Sequence, residues 1–265
     1  MLTKLPIIIK GGGEMASGIA WRLFRSGFKN IILLDIENPM AVRRTVCFCE
    51  AIYDGRKTVD GVHAVLAQRD IEIDKTLNDN CIPVVIDPDW ETILKRKPKV
   101  IIDAILAKKN LGTRIDDAEL VIGLGPGFYA GSDVDMVIET HRGPNFGRVI
   151  FNGEASRDTG IPANVMGYDV ERVIRAPASG RIQCAVQIND AVKAGDVIGT
   201  VQKKAVKALI NGTVRGLIRN NIFVEKNVKI GDIEPRENVN NMLVSDKSLG
   251  LGGAVLEAVL SRFNI

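Results

Sequence analysis

The chain has 265 residues, 46% of them apolar, and its 35 basic and 32 acidic side chains leave a formal charge of +3. Such a length and composition suit one large soluble domain or two ordinary ones, and the balanced charge gives no reason to expect nucleic-acid or membrane binding. No apolar run is long enough to span a bilayer and the start lacks a secretory leader's pattern, so a cytoplasmic location is expected.

The first stretch with a readable plan runs from Leu5 to Asp35. Leu5-Pro6-Ile7-Ile8-Ile9 suits a strand buried on both faces. Gly11-Gly12-Gly13 follows, then an amphipathic helix pattern from Met15 to Phe24 with Gly27 as its stop, then a second strand, Ile31 to Leu34, closed by Asp35. This is the first βαβ unit of a dinucleotide-binding sheet, with its glycine fingerprint in the G-x-G-x-x-A form. Gly11 would give the tight turn, Gly13 the close approach of a pyrophosphate, and Ala16 the helix–strand contact. Asp35 stands where a carboxylate can hold a ribose, which favours NAD over NADP. Glu14, at the helix start, complements the dipole but repels phosphate.

Further along, Pro39 is expected to start a helix through Met40 to Val46, with Arg43 and Arg44 near a strand end. Cys47 and Cys49, two apart on an expected helix, should not face each other. With Cys81 and Cys184 they form no C-x-x-C pair, and the only histidines, His63 and His141, lie far apart, so no metal site is expected. Thr58 to Val65 reads as a hairpin turning at Asp60-Gly61. A polar helix from about Asp70 to Asn80 leads to the strand Ile82–Ile86. A helix follows through Trp90 and Leu94 and ends in Lys95-Arg96-Lys97-Pro98. Val100–Asp103 and Leu120–Ile122 are further buried strands, so a mostly parallel sheet is expected.

Two loops after these strands look functional. Ala107 to Asp117 is dense in charge, and Gly123-Leu124-Gly125-Pro126-Gly127 to Asp133 is rich in glycine, whose free backbone N–H groups can form an anion-binding concavity. The strand Val137–Thr140 then delivers His141 and Arg142. The loops would share one crevice, where Lys108, Lys109, Arg114 and Arg142 could meet a phosphate or carboxylate and Gly125 and Gly127 would supply backbone donors.

Residues 174–201 and 206–233 repeat at an offset of 32: Val192 matches Val224, Ile198 matches Ile230 and Gly199 matches Gly231. Two β-only halves of this size must pack face to face. Over about 60 residues the pattern resembles the barrel-sandwich hybrid of biotinyl and lipoyl carriers. Lys203 and Lys204 sit at the joint where carriers hold a modified lysine, but without that family's Met-Lys-Met setting, so they read as plain turn lysines. The chain closes on Ser245-Asp246-Lys247 and an apolar helix that should pack back on the first domain. Gly250, Gly252 and Gly253 within it call for a close neighbour.

Several segments together resemble the selenium-dependent molybdenum hydroxylase accessory (YqeB-like) family: 10–18, 41–46, 110–117, 123–128, 138–140, 147–150, 159–162 and Ser245-Asp246-Lys247. Pro144 stands where relatives are expected to carry a histidine. The expected fold is α/β: a Rossmann-like, mostly parallel sheet domain over 1–168, a small all-β barrel-sandwich hybrid over 169–236, and a C-terminal segment with a helix over 237–265. The resemblance implies a bacterial accessory protein that helps mature such a hydroxylase, with the hydroxylase or its maturation machinery as partner. Its ligand would be a small phosphate-bearing molecule, either NAD or a molybdopterin-type cofactor, held by Gly11, Gly13, Ala16, Asp35, Lys109, Arg114, Gly125, Gly127 and Arg142. No catalytic residue is implied, and a homo-oligomer is left open. The alternatives are an NAD-dependent oxidoreductase and a non-enzymatic scaffold or carrier.

Overall fold

The computed structural model describes residues 2–264. They fall into two compact units, one of residues 2–39, 46–159 and 244–264 and the other of 40–45 and 160–243.

In the first unit the chain forms β1 (Ile7–Lys10), α1 (Glu14–Arg25), β2 (Ile31–Asp35), α2 (Ala51–Asp54), β3 (Arg56–Val59), β4 (Val62–Leu66), α3 (Asp70–Asn78), β5 (Ile82–Ile86), α4 (Glu91–Arg96) and β6 (Val100–Asp103). It continues through β7 (Leu120–Leu124), β8 (Tyr129–Ala130), β9 (Met136–Ile138), β10 (Val149–Ile150) and β11 (Gly153–Glu154), and α5 (Asp246–Phe263) closes the unit. Nine strands make one sheet in the order β10-β9-β7-β6-β1-β2-β5-β4-β3. The seven from β9 to β4 run parallel, while β10 and β3 flank them antiparallel. The fold is mixed α/β with a large, mostly parallel sheet. Taken alone, β5-β2-β1-β6-β7-β9 have the 3-2-1-4-5-6 order of doubly wound sheets, whose ligands lie outside the carboxyl ends of the strands.

The apolar runs are continuous because each strand is buried on both faces. Ile7, Ile9, Ile31 and Leu33 pack under α1 and α5, whereas Ile8, Ile32, Leu34 and Ile101 pack on the opposite face with Ile73 of α3 and Ile93 of α4. Two of the three glycines of α5 have close neighbours: a Cβ on Gly252 would stand 3.1 Å from the Gly18 carbonyl oxygen, and one on Gly250 2.7 Å from the Phe146 ring, whereas one on Gly253 would meet nothing within 4 Å. On α1, a Cβ at Gly18 would fall 2.3 Å from that of Ser248. Small residues therefore let α1 and α5 touch backbone to backbone. Asp60 and Gly61, both at positive φ, turn the β3–β4 hairpin as expected.

Two local expectations need correction. Residues 40–46 form no helix beyond a single 3-10 turn at Arg44–Val46. Within the second unit Arg43 donates to the carbonyls of Asn241 and Leu243, Arg44 to that of Leu217, and Thr45 to that of Asn241, and this bonding to distant backbone overrides local helix preference. Cys47 precedes a separate 3-10 turn, Phe48–Glu50, instead of sharing a helix with Cys49, so the two thiols do meet in a hydrogen bond. That bond, and the burial behind it, push the Cys49 thiol well above its ordinary range, so it stays protonated and inert.

The second unit contains β12 (Val173–Arg175), β13 (Gly180–Cys184), β14 (Ala191–Val192), β15 (Val197–Val201), β16 (Lys204–Lys207), β17 (Gly212–Leu217), β18 (Phe223–Val224) and β19 (Lys229–Glu234). They form two antiparallel sheets, β12-β19-β17-β14 and β16-β15-β13-β18. Moving each strand of the first sheet by 32 residues, forwards or back, yields the order of the second. The backbone repeats too, with φ of 155° at Gly180 and 154° at Gly212, and positive φ at both Asn189 and Asn221. Matched pairs such as Ile182 and Val214, or Ile198 and Ile230, are buried in one core. The repeats are not two sheets facing each other, however. Each sheet takes strands from both copies, because a copy alone leaves most of its strand edges unpaired.

Candidate functional site

The carboxyl ends of β1, β2 and β6 carry Lys10, Asp35 and Asp103. Lys10 and Asp103 are partners in register where the strand order reverses. Both are almost wholly buried, at 1% and 2% exposure. Thr113, from the charged loop, joins them: its hydroxyl accepts from Lys10 Nζ at 2.8 Å and donates to Asp103 Oδ2 at 2.7 Å. The ammonium lies 4.9 Å from the Trp90 ring centroid and 3.9 Å from Asp117. Asn110 holds the loop in turn, accepting from the Thr113 N–H and donating to its carbonyl. Burial lowers the Lys10 pKa against the pull of Asp103 and Asp117. Burial also raises that of Asp103, against its bonds to Thr113 and to the Ile105 N–H and the charge of Lys10.

Asp103 sets a pH dependence whose sign follows from that shift. Its folded pKa lies above the unfolded one, so the folded state holds more protons between the two, and stability declines as pH rises through that window. Urea midpoints measured from the ordinary carboxylate pKa up to neutrality should therefore fall more steeply for wild type than for Asp103→Asn. Equal slopes would mean that Asp103 titrates as a solvated acid.

Asp35 sits on the glycine turn itself. Its Oδ2 accepts from the Gly12 N–H and its Oδ1 from the Ile36 N–H, each at 2.8 Å, and burial raises its pKa despite them. The Cys49 N–H donates to the Gly12 carbonyl at 3.0 Å, Ser17 donates to the same oxygen, and the Phe48 N–H donates to Ser17. Gly11 lies under Ala104, whose carbonyl oxygen would be 3.3 Å from an added Cβ. Ala16 is fully buried against the sheet. Gly13, the N-cap of α1, faces open space: a Cβ there would meet nothing within 4 Å.

Beside that opening lies the start of α5. The Ser248 hydroxyl donates to the Glu14 carbonyl at 3.2 Å, and Ser245 caps the helix. Between them Lys247 feels Glu14, Asp158, Glu139 and Arg142, and burial followed by Arg142 lowers its pKa against the three acids. No hydrogen bond or ion pair within 4 Å holds Lys247 among the described residues. Glu139 is 3% exposed; burial pushes its carboxyl up, but N–H groups of His141, Ser156 and Thr140 outweigh it and keep it ionised.

Three of the four other cations expected here are engaged elsewhere. Arg114 forks onto Asp116 in solvent, and Arg142 onto Asp246, at 2.9 and 3.0 Å. Lys108 pairs with Asp158. Lys109 is exposed, and its Cα would stand 2.6 Å from a Cβ on Gly127, while one on Gly125 would stand 2.6 Å from the Thr140 hydroxyl. These two glycines admit neighbouring backbone and side chain, so packing accounts for them. Lys10, Asp103 and Thr113, which form the strand-end cluster, and Lys247 near the start of α5 were not among the site residues expected from sequence. The usable signal was a polar residue closing each of two apolar strands, plus a lysine following a helix cap.

The first unit is thus an α/β domain of doubly wound strand order with an open helix N-terminus at its carboxyl edge. No family model matches the chain. It is 47% identical over 255 residues to the uncharacterized protein YqeB of Escherichia coli (strain K12), which covers 96% of this chain but only 47% of that protein. The chain is therefore YqeB-like and spans about half the length of that relative. Two solved structures, an aspartoacylase family protein from Mesorhizobium loti and a succinylglutamate desuccinylase/aspartoacylase from Rhodobacter sphaeroides, align over 87% of this chain and 85% of theirs at 13% identity. Their TM-scores, 0.28 and 0.26, are too low to bear on fold or function.

Proposed function

We propose that the chain is a cytoplasmic accessory protein for the maturation of a selenium-dependent molybdenum hydroxylase, and that its Rossmann-like unit holds a nucleotide or a pyrophosphate-bearing molybdenum cofactor. The observation that carries the ligand half of this reading is the open N-terminus of α1 at Gly13, with Lys247 in the field of the next residue, Glu14, and, among the described residues, in no ion pair within 4 Å. Backbone N–H groups and the helix dipole favour an anion there, and Lys247 adds a full positive charge. Glu14, the first residue of the helix, opposes it. The role in maturation rests on the motif resemblance. The second unit is read as a barrel-sandwich hybrid used for docking the hydroxylase or its assembly partners, since its internal repeat fits that architecture.

Calorimetric titration with inorganic pyrophosphate tests the ligand half. Saturable binding is expected, weakened about tenfold by Lys247→Ala, the effect of losing roughly 1.4 kcal/mol of charge-assisted contact. For the biological half, deleting the gene in a host with such a hydroxylase should abolish the hydroxylase's selenium-dependent activity while leaving its polypeptide level unchanged. Full activity in the deletion strain would end this reading.

A further inference from the structure

Resting on the nucleotide arm of that reading, we infer that the site accepts pyrophosphate carrying one organic substituent and excludes pyrophosphate bridged between two, the NAD class and a pyrophosphate-linked pterin dinucleotide among them. Doubly wound sheets hold a dinucleotide across the crevice where the strand order reverses, with one nucleoside on each side of the pyrophosphate. Here that crevice lies between β1 and β6, and it is filled. Lys10, Thr113 and Asp103 are bonded in series across it, each at most 2% exposed, with the Trp90 ring over the ammonium. The Ala104 carbonyl rests on Gly11 just beneath.

The ribose side, at the end of β2, is closed as well. Both oxygens of Asp35 are bonded to backbone N–H groups, one of them in the glycine turn. The Phe48–Glu50 turn presses down on the same glycines: a Cβ on Gly12 would lie 2.9 Å from that of Cys49. A nucleoside entering either side would have to displace buried hydrogen bonds and a packed turn. The direction left open runs over Gly13 towards Lys247. One substituent can leave the pyrophosphate that way; two cannot.

Competition on the intact chain tests this. Inorganic pyrophosphate and ADP, a monoester, should bind and displace each other, and NAD+, a diester, should bind at least tenfold more weakly than ADP and fail to displace pyrophosphate. NAD+ binding as tightly as ADP and in competition with pyrophosphate would overturn the inference while leaving phosphate binding at this edge intact. If none of the three binds, the site itself is refuted, and the inference falls with it. Thr113→Val gives a second readout: it cuts both bonds of the series at nearly constant volume, so NAD+ affinity should rise relative to ADP in a variant whose cooperative melting shows that it folds. An unchanged ratio in that folded variant would also overturn the inference.

Discussion

Lys10→Ala is expected to destabilise the first unit by about 3–5 kcal/mol, the usual cost of removing one member of a buried charged group and leaving its partner behind. The loss has three parts. Asp103 keeps its burial but loses its nearest cation, Thr113 loses a donor, and the space under Trp90 empties. Lys10→Met should recover the last part, since it retains an apolar stem beneath the ring. Urea unfolding of the full chain measures both, and hydrogen exchange at the Thr113 amide should quicken in each variant as the loop loosens. A cost below about 1 kcal/mol for Lys10→Ala would show that water readily replaces the ammonium.

Gly127→Ala should cost about 3 kcal/mol or more, from two sources that add. Its φ of +109° lies in territory that disfavours side chains, worth about 1–3 kcal/mol, and the new methyl would sit 2.6 Å from the Lys109 Cα, an overpacking of similar size. Backbone cannot step aside as a side-chain tip can. Gly13→Ala is the control: its φ is −70° and no atom stands within 4 Å of the added carbon, so stability should change by less than about 1 kcal/mol. Thermal or chemical denaturation of the pair distinguishes a glycine kept for packing from one kept open. Similar costs at the two positions would contradict this account of the loops.

The elements that sequence made legible are those whose cause is local or periodic. Ile7–Ile9 and Ile31–Leu34 are apolar without interruption because both faces of the sheet are covered, and Asp60-Gly61 turns a hairpin because both residues tolerate positive φ. The repeat in the second unit was visible because both copies need glycine, or a residue that accepts positive φ, at matching positions. What sequence could not disclose is who meets whom. Arg114 and Arg142 read as ligand donors, yet carboxylates at Asp116 and Asp246, 2 and 104 positions away, claim them. Asp35 reads as a ribose acceptor, yet it binds the turn 23 residues before it. The extended run at 40–43 depends on carbonyls nearly 200 positions later. Pairings of this kind follow from the assembled fold, and no spacing rule announces them.

The exchange of strands in the second unit suggests how such a module arose. Four of its six strand pairings join one copy of the repeat to the other, and only β13–β15 and β17–β19 stay within a copy. An ancestral peptide of a single copy would have completed its sheets by associating with a twin, as a symmetric dimer. Joining two copies in tandem makes that association intramolecular, through a connection as short as the Gln202-Lys203 turn, and independent of concentration. In one chain the two copies need not be identical, so surface residues of one can differ from those of the other while the shared interior keeps its matched apolar pairs.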